Sequence, residues 1–376
     1  MKTIAFYLPQ FHRIPENDMM WGEGFTEWNN VKAANPLFSN HNQPRVPLNK
    51  NYYNLLEDDV LRWQVDLANQ YGVDGFCFYH YWFNGKKLLE RPVEKFLNLK
   101  TLDKTFCLCW ANEAWTKAWV SKEDDVLYPQ VYGNETSWEE HFQYLLPFFK
   151  DARYIKDSGK PLFIIYRPEL IECLNDMLDY MNRRAVEEGF EGICYAYQQL
   201  AYDLQPNKDE SRFTYNIEYE PAYSMNDLNE GKHAYNFLYS IAKSIDKISL
   251  KLINKTLSSM YIRKVRTIDY DSLWKKCIDR IPENEKHVAC IFTDWDNTPR
   301  RGKKGIVVTG ANPLKFKKYI AMKKEMIKKY YSNEYVFIFA WNEWAEGGYL
   351  EPDEKYQYGY LEAIRSVFKD NDSIVY

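Results

Sequence analysis

Tyr335-Val336-Phe337-Ile338-Phe339-Ala340-Trp341-Asn342-Glu343-Trp344-Ala345-Glu346-Gly347-Gly348 begins as an apolar, β-branched and aromatic run, the pattern of a buried strand. It ends in two carboxylates three residues apart, set among indoles, with a Gly-Gly breaker behind them. Two acids delivered into one turn suit glycosidic-bond chemistry, where one carboxyl must hold a proton while the other is ionised. The plainer reading is a strand end with solvated acids, and the rest of the chain decides between them. Side chains alternate along a strand, so Glu343 and Glu346 can share a face only if the chain bends after the strand. A turn, or the first turn of a helix, would supply that bend.

Working back from this stretch, strand-like runs fall at residues 3–8, 73–79, 106–111, 161–166, 193–197, 213–219 and 287–292. Helical spacing falls between them at 56–71, 88–99, 137–149, 170–188, 270–281 and 313–331, and again after the last strand at 356–368. Eight strands alternating with helices, with no further strand left over, predict an α/β fold: one (β/α)8 barrel over residues 1–376. Its βα loops are long. Residues 9–51 form one of them, too rich in Trp, Phe and His to read as disordered. Residues 224–270 exceed what a crossover needs and read as a helical insertion after strand six, with a Lys-rich amphipathic stretch at 241–261.

Barrel active sites sit at the C-terminal ends of the strands. Trp21, Trp28, Trp82, Trp110, Trp115, Trp119, Trp295, Trp341 and Trp344 all fall at those ends or in the loops after them, whereas Trp63, Trp138 and Trp274 fall on helices. This sorting predicts an aromatic carbohydrate cleft. The net charge of -4 gives no sign of a nucleic-acid partner. The seven cysteines lie mostly in apolar runs without metal-ligand spacing, as small core hydrophobes. No stretch reaches the ~20 apolar residues of a membrane span, and the first residues read as a strand rather than a signal peptide. The expected setting is therefore cytoplasmic, with an oligo- or polysaccharide as substrate and neither cofactor nor metal.

The rim supplies the candidate site. Tyr7 lies near the end of strand one, with Gln10, His12 and Trp28 after it; His80, Tyr81 and Trp82 follow strand two; Asn112, Glu113 and Trp115 follow strand three. Glu218 ends strand six, Asp294, Trp295, Asn297 and Arg300 follow strand seven, and Trp341 and Asn342 precede the acid pair. Glu343 and Glu346 are the leading acid/base pair, with Glu113 and Glu218 as rivals that residue chemistry alone does not eliminate. Asp294-Trp295-Asp296 has the Asp-x-Asp form that binds metal and nucleotide in many glycosyltransferases, here after a barrel strand. Arg300 and Arg301 suit either an anionic ligand or the rim acids themselves. Neither Gly22-Glu23-Gly24 nor Gly302-Lys303-Lys304-Gly305 forms a phosphate-binding loop.

Tyr7-Leu8-Pro9-Gln10-Phe11-His12, Trp21-Gly22-Glu23-Gly24-Phe25-Thr26-Glu27-Trp28, Phe78-Tyr79-His80-Tyr81-Trp82-Phe83, Trp110-Ala111-Asn112-Glu113, the segment from Asp294 to Arg301 and Trp341-Asn342-Glu343-Trp344-Ala345-Glu346-Gly347 together resemble the WbsX-type proteins. These are described as glycosyltransferases of bacterial O-antigen or capsule clusters. The resemblance spans nearly the whole chain and departs at Ala114, where an Asn is expected. The strand-eight motif, followed by Leu350-Glu351-Pro352, is also similar to that of glycoside hydrolase family 99, the endo-α-mannosidases. That similarity implies a retaining mechanism in which Glu343 draws the proton from a sugar 2-hydroxyl, which attacks C1 to give a 1,2-anhydro sugar. It implies that Glu346 protonates the leaving oxygen and later activates the incoming water. The alternatives are a sugar-nucleotide-dependent glycosyltransferase and a non-catalytic glycan-binding barrel.

Overall fold

A computed structural model describes residues 1–116, 126–200, 209–229 and 265–370. Its core strands are β1 (Lys2–Tyr7), β2 (Gly75–Phe83), β3 (Thr105–Trp110), β4 (Lys160–Ile165), β5 (Cys194–Gln199), β6 (Tyr215–Glu218), β7 (His287–Phe292) and β8 (Tyr335–Phe339). Each pairs in parallel with the next. Strand β8 returns to β1, from Lys2↔Tyr335 to Ala5↔Ile338, so the sheet closes into the (β/α)8 barrel expected from the sequence. Strands buried on both faces read as largely apolar runs, which is why most of these segments stood out. Inside, Phe6 packs between Tyr79, Tyr219 and Phe337 with ring centroids 5.3–5.8 Å apart. Outside, helices lay their apolar stripes on the sheet, as Asp58–Tyr71 does with Leu61, Val65 and Ala68.

The structure differs from the sequence reading at one place and adds detail at two. First, short ladders lie outside the barrel: Lys86–Leu88 on β2, Trp115–Thr116 with Val126–Tyr128, Lys156–Asp157 on β4, Arg266–Asp269 with Ile306–Thr309, and Asn342–Glu343 with Gly348–Tyr349. Second, among the described residues the β5–β6 connection holds no α-helix, only a single turn of 3₁₀ helix at Glu210–Arg212. Third, the described ends of the 224–270 segment carry most of the helix Ala222–Asn229 and the strand Arg266–Asp269, which runs parallel to Ile306–Thr309. The Lys-rich stretch 241–261 lies outside the described residues.

Strand β6 shows how alternation divides neighbours between two environments. Ile217 and Tyr219 point into the barrel, while Glu218 points outward and is fully buried beneath the surrounding helices. It accepts from the Tyr331 hydroxyl at 2.8 Å and lies 3.6 Å from both Lys323 and Arg280 and 3.3 Å from His287. Burial alone would raise its pKa, but Lys323, His287 and Arg280 outweigh it and hold the carboxyl at about 2. Because the folded-state value is depressed, its stabilisation is present above the unfolded value near 4.5 and is lost as pH falls toward 2. Glu218→Gln should therefore cost about 3 kcal/mol at neutral pH, leaving buried cations short of a partner. Thermal unfolding should show the variant converging on wild type as pH falls through that window.

Candidate active site

The chain bends sharply after β8. Asn342–Glu343 pairs antiparallel with Gly348–Tyr349, and Trp344–Glu346 forms one turn of 3₁₀ helix between them. Gly347 closes the turn at φ +71°, where an added Cβ would sit 2.9 Å from the Arg45 guanidinium carbon. This hairpin brings Glu343 and Glu346 to one cleft of about 220 Å³ at the C-terminal mouth of the barrel.

There, one guanidinium meets three carboxylates. Arg300 donates from Nη2 to Glu343 at 3.0 Å and from Nε to Glu27 at 2.8 Å, and its Nη1 lies 2.9 Å from Glu346. Glu343, Glu27 and Arg300 are all below a tenth exposed. Burial pushes the Glu343 carboxyl well up, against the pull of Arg300 and with the push of Glu346. Burial also raises Glu346, with Arg300 again opposing it. Three buried carboxylates against one cation favour retention of a proton within the cluster, and the two raised groups titrate as a unit.

Across the cleft, Glu113 pairs with Arg167 at 2.7 Å, and burial raises its carboxyl despite that cation. Gln10 donates to the Tyr81 hydroxyl at 2.8 Å. Trp21, Trp115 and Trp295 supply the large aromatic walls, and Tyr79, Tyr166 and Tyr219 also line the cleft. The cleft thus receives Gln10, Tyr81, Glu113, Trp115, Trp295, Arg300, Glu343 and Glu346 from the expected set. Glu27, Tyr166 and Tyr219 line it without having been singled out as site residues.

The other expected residues do not line it. Strand β2 continues through Phe83 rather than stopping at Tyr79, so its alternation continues too. Tyr79, Tyr81 and Phe83 face the cleft, whereas His80 and Trp82 face the helix Glu135–Lys150. His80 sits 2.8 Å from the His141 ring nitrogen, and Trp82 stacks on His141 at 4.7 Å. Burial lowers His80 to about 3, leaving it neutral. In the same way Tyr7 turns outward and donates to Gln64 at 2.6 Å, while Leu8 lines the cleft. His12 is buried, which lowers it to about 4, and Trp28 donates to the Tyr53 carbonyl at 2.8 Å.

Asp294 and Asp296 flank Trp295 and point away from the cleft. Asp294 accepts from Arg45 at 2.8 Å; Asp296 accepts from Gln43 at 2.7 Å and Thr298 at 2.6 Å, and lies 2.8 Å from His41. The Asp-x-Asp segment therefore ties residues 41–45 to the strand-seven loop. Asn297 accepts from the Ile306 amide at 2.8 Å, holding that loop's own turn. Trp341 is fully buried against Phe76, and Trp344 donates to Glu351 at 2.7 Å, so neither walls the cleft. Trp28, Trp82, Trp110, Trp341 and Trp344 are each at most 6% exposed, so much of the tryptophan sorting reflects packing at the mouth. Trp119 lies outside the described residues.

Two asparagines share one task. Asn342 accepts from the Leu8 amide at 2.7 Å and donates to its carbonyl at 3.0 Å. Asn112 accepts from the Arg167 amide at 2.7 Å and donates to its carbonyl at 2.8 Å. Each clasps the end of a neighbouring strand and leaves the following glutamate, Glu343 or Glu113, in the cleft.

A model of the family described as glycosyltransferase WbsX matches residues 3–364. The chain belongs to the WbsX family. Two curated relatives, each described as uncharacterized protein WxcX, come from two strains of Xanthomonas campestris pv. campestris. They are 33% identical over 364 residues, covering 96% of this chain and 49% of theirs. The chain thus spans about half the length of those relatives. Among solved structures, this WbsX chain resembles the GH99 endo-α-mannosidase from Bacteroides thetaiotaomicron with a TM-score of 0.53 and 15% identity, covering 97% of this chain and 95% of that one. It also resembles a glycoside hydrolase-like protein with a TM-score of 0.56 and 13% identity, covering 98% and 94%. At these identities the likeness is one of fold, and it puts this WbsX-family chain on a GH99-type barrel.

The acid hairpin depends on Gly347. Gly347→Ala should cost about 1–3 kcal/mol, from the left-handed backbone and the Arg45 contact together. Thermal unfolding measures that loss. Displacement of the hairpin should also abolish the coupled titration of Glu343 and Glu346 in carboxyl-labelled NMR spectra.

Proposed function

We propose that this barrel cleaves or transfers glycosidic bonds of a bacterial surface polysaccharide, with Glu343 and Glu346 exchanging the protons. The observation that carries the reading is the Arg300 cluster: two carboxylates on one hairpin, both raised by burial and both oriented by one guanidinium. Glu218, the rival at strand six, lies outside the barrel among Lys323, Arg280 and His287, which supports the hairpin pair over it. Glu113 faces the cleft beside Arg167, which suits it to binding sugar hydroxyls.

In the mechanism implied by the family 99-like motif, ionised Glu343 takes the proton of the 2-hydroxyl as O2 bonds to C1. The C1–oxygen bond to the leaving sugar breaks, and Glu346 gives that oxygen its proton. In the second half, ionised Glu346 takes a proton from water or from an acceptor hydroxyl, whose oxygen bonds to C1. The C1–O2 bond opens, and O2 recovers its proton from Glu343. Hydrolysis and transfer differ only in the acceptor, which accommodates the family's glycosyltransferase description without a nucleotide site. Burial raises both carboxyls, Glu343 the more strongly, and they titrate as a pair, so this mechanism requires the shared proton to pass to Glu346 and leave Glu343 ionised when a sugar 2-hydroxyl meets it.

No described helix is long and apolar enough to cross a membrane. Cys77, Cys107, Cys109, Cys194, Cys277 and Cys290 are buried free thiols, which supports a reducing, cytoplasmic setting.

Glu343→Gln and Glu346→Gln should each lose ~10²–10⁴-fold in turnover while keeping glycan binding and melting temperature. Glu346→Gln should recover on substrates with good leaving groups, and Glu343→Gln should not. Full activity in both variants on a polysaccharide that wild type processes would refute the assignment and turn attention to Glu113. Calorimetry separates the transferase alternative: this reading expects no micromolar binding of sugar nucleotides, with or without Mn²⁺. Such binding would favour a nucleotide donor.

A further inference from the structure

A second cavity, of about 580 Å³, opens between residues 47–57, the helix Asp58–Tyr71 and residues 351–358, and it shares no lining residue with the cleft. Its frame is fixed by backbone bonds between two distant segments. The Leu48 amide donates to the Pro352 carbonyl and the Glu354 amide to the Val46 carbonyl, both at 2.9 Å. The Asn49 amide donates to the Glu354 carboxylate at 2.7 Å, and Asn49 and Lys50 both hold left-handed backbone with φ near +55°.

Half-buried rings of Tyr52, Trp63 and Tyr358 line this groove, and the exposed side chains of Asn49, Asn51 and Asn54 edge it. Trp344 and Glu351 lie behind as a rigid floor. The Glu351 oxygens are already taken, by Trp344 Nε1 and Gln64 Nε2 at 2.7 Å and by the Tyr53 hydroxyl at 2.8 Å. The exposed charges among the lining residues are one lysine, Lys50, and one acid, Glu57, which offset each other.

We propose that this groove is a second binding site, for an uncharged segment of oligosaccharide. Aromatic faces match the C–H faces of sugar rings, amides match hydroxyls as donor and acceptor, and the volume falls in the range of ligand sites. The choice of a glycan as occupant rests on the reading of the cleft given above. A polymer held in the groove raises the local concentration of its repeats at the catalytic mouth without any contact to the acid pair. The Trp344 turn, which carries Glu343 and Glu346 on the cleft side, forms the wall between the two sites.

Affinity electrophoresis of the full chain in native gels containing mannan, dextran, xylan or β-glucan tests this. At least one of these should retard wild type, and Trp63→Ala and Asn51→Ala should each weaken the apparent affinity about tenfold. Asn51 is exposed, so its variant stays folded and decides the matter if Trp63→Ala does not fold. Trp295→Ala, which alters the cleft, should leave most of the retardation intact. The proposal is overturned if no gel retards the wild type, if Asn51→Ala migrates as wild type does, or if Trp295→Ala alone removes the retardation. Turnover by the Glu343 and Glu346 variants is measured separately, so loss of the groove reading leaves the acid-pair reading standing, and the reverse.

Discussion

A single guanidinium organises the mouth of this barrel. Arg300 meets Glu27 from the loop after β1 and Glu343 and Glu346 from the hairpin after β8, while its own segment follows β7. Removing any one carboxylate changes the charge felt by the others, because all four groups are largely withdrawn from water. Arg300 also restrains both acids in orientation, as a bidentate planar donor does better than a lysine would. The same contact that pulls the acid pair down in pKa therefore keeps it aimed, and burial has to exceed that pull for a proton to remain.

Around this centre the loops are braced by polar contacts on their outer faces. Arg45 spans Asp294 and the Gly347 carbonyl, so the stretch before residue 47 reaches both the strand-seven loop and the acid hairpin. Asp296 gathers His41, Gln43 and Thr298, and burial is outweighed there by those partners, which hold its carboxyl at about 2. A motif that looks like a ligand site in sequence is here a rivet between two loops. Its middle residue, Trp295, is the one that meets the cleft.

The fold was legible because most barrel strands are buried on both faces and so read as largely apolar runs, while β6, with Asn216 and Glu218, stood out less. The acid pair was legible for a related reason: carboxylates that interrupt such a run before a Gly-Gly breaker have few structural roles. Residues beyond the expected strand ends were harder. Treating His80 to Phe83 as loop left every side chain free to face the substrate, whereas the strand continues and sends His80 and Trp82 outward. Tyr7, Glu218 and Asp294 follow the same alternation. Glu27 escaped notice because its partner lies 273 residues away and no local spacing announces it. Its place in the Trp21–Trp28 motif and the imbalance of acids over arginines at the rim were the available signals.

The two asparagine clasps have a consequence for assembly. Asn342 grips Leu8 across the seam where the last strand meets the first, so Glu343 is held by the junction that closes the ring. An open or partly unravelled barrel would keep most of its helices and strands yet have no fixed place for that carboxylate. Asn112, in the middle of the chain, does the same for Glu113 without needing the seam. The two sides of the cleft therefore rest on different closures: one lies within a local βαβ unit, the other where distant parts of the chain meet.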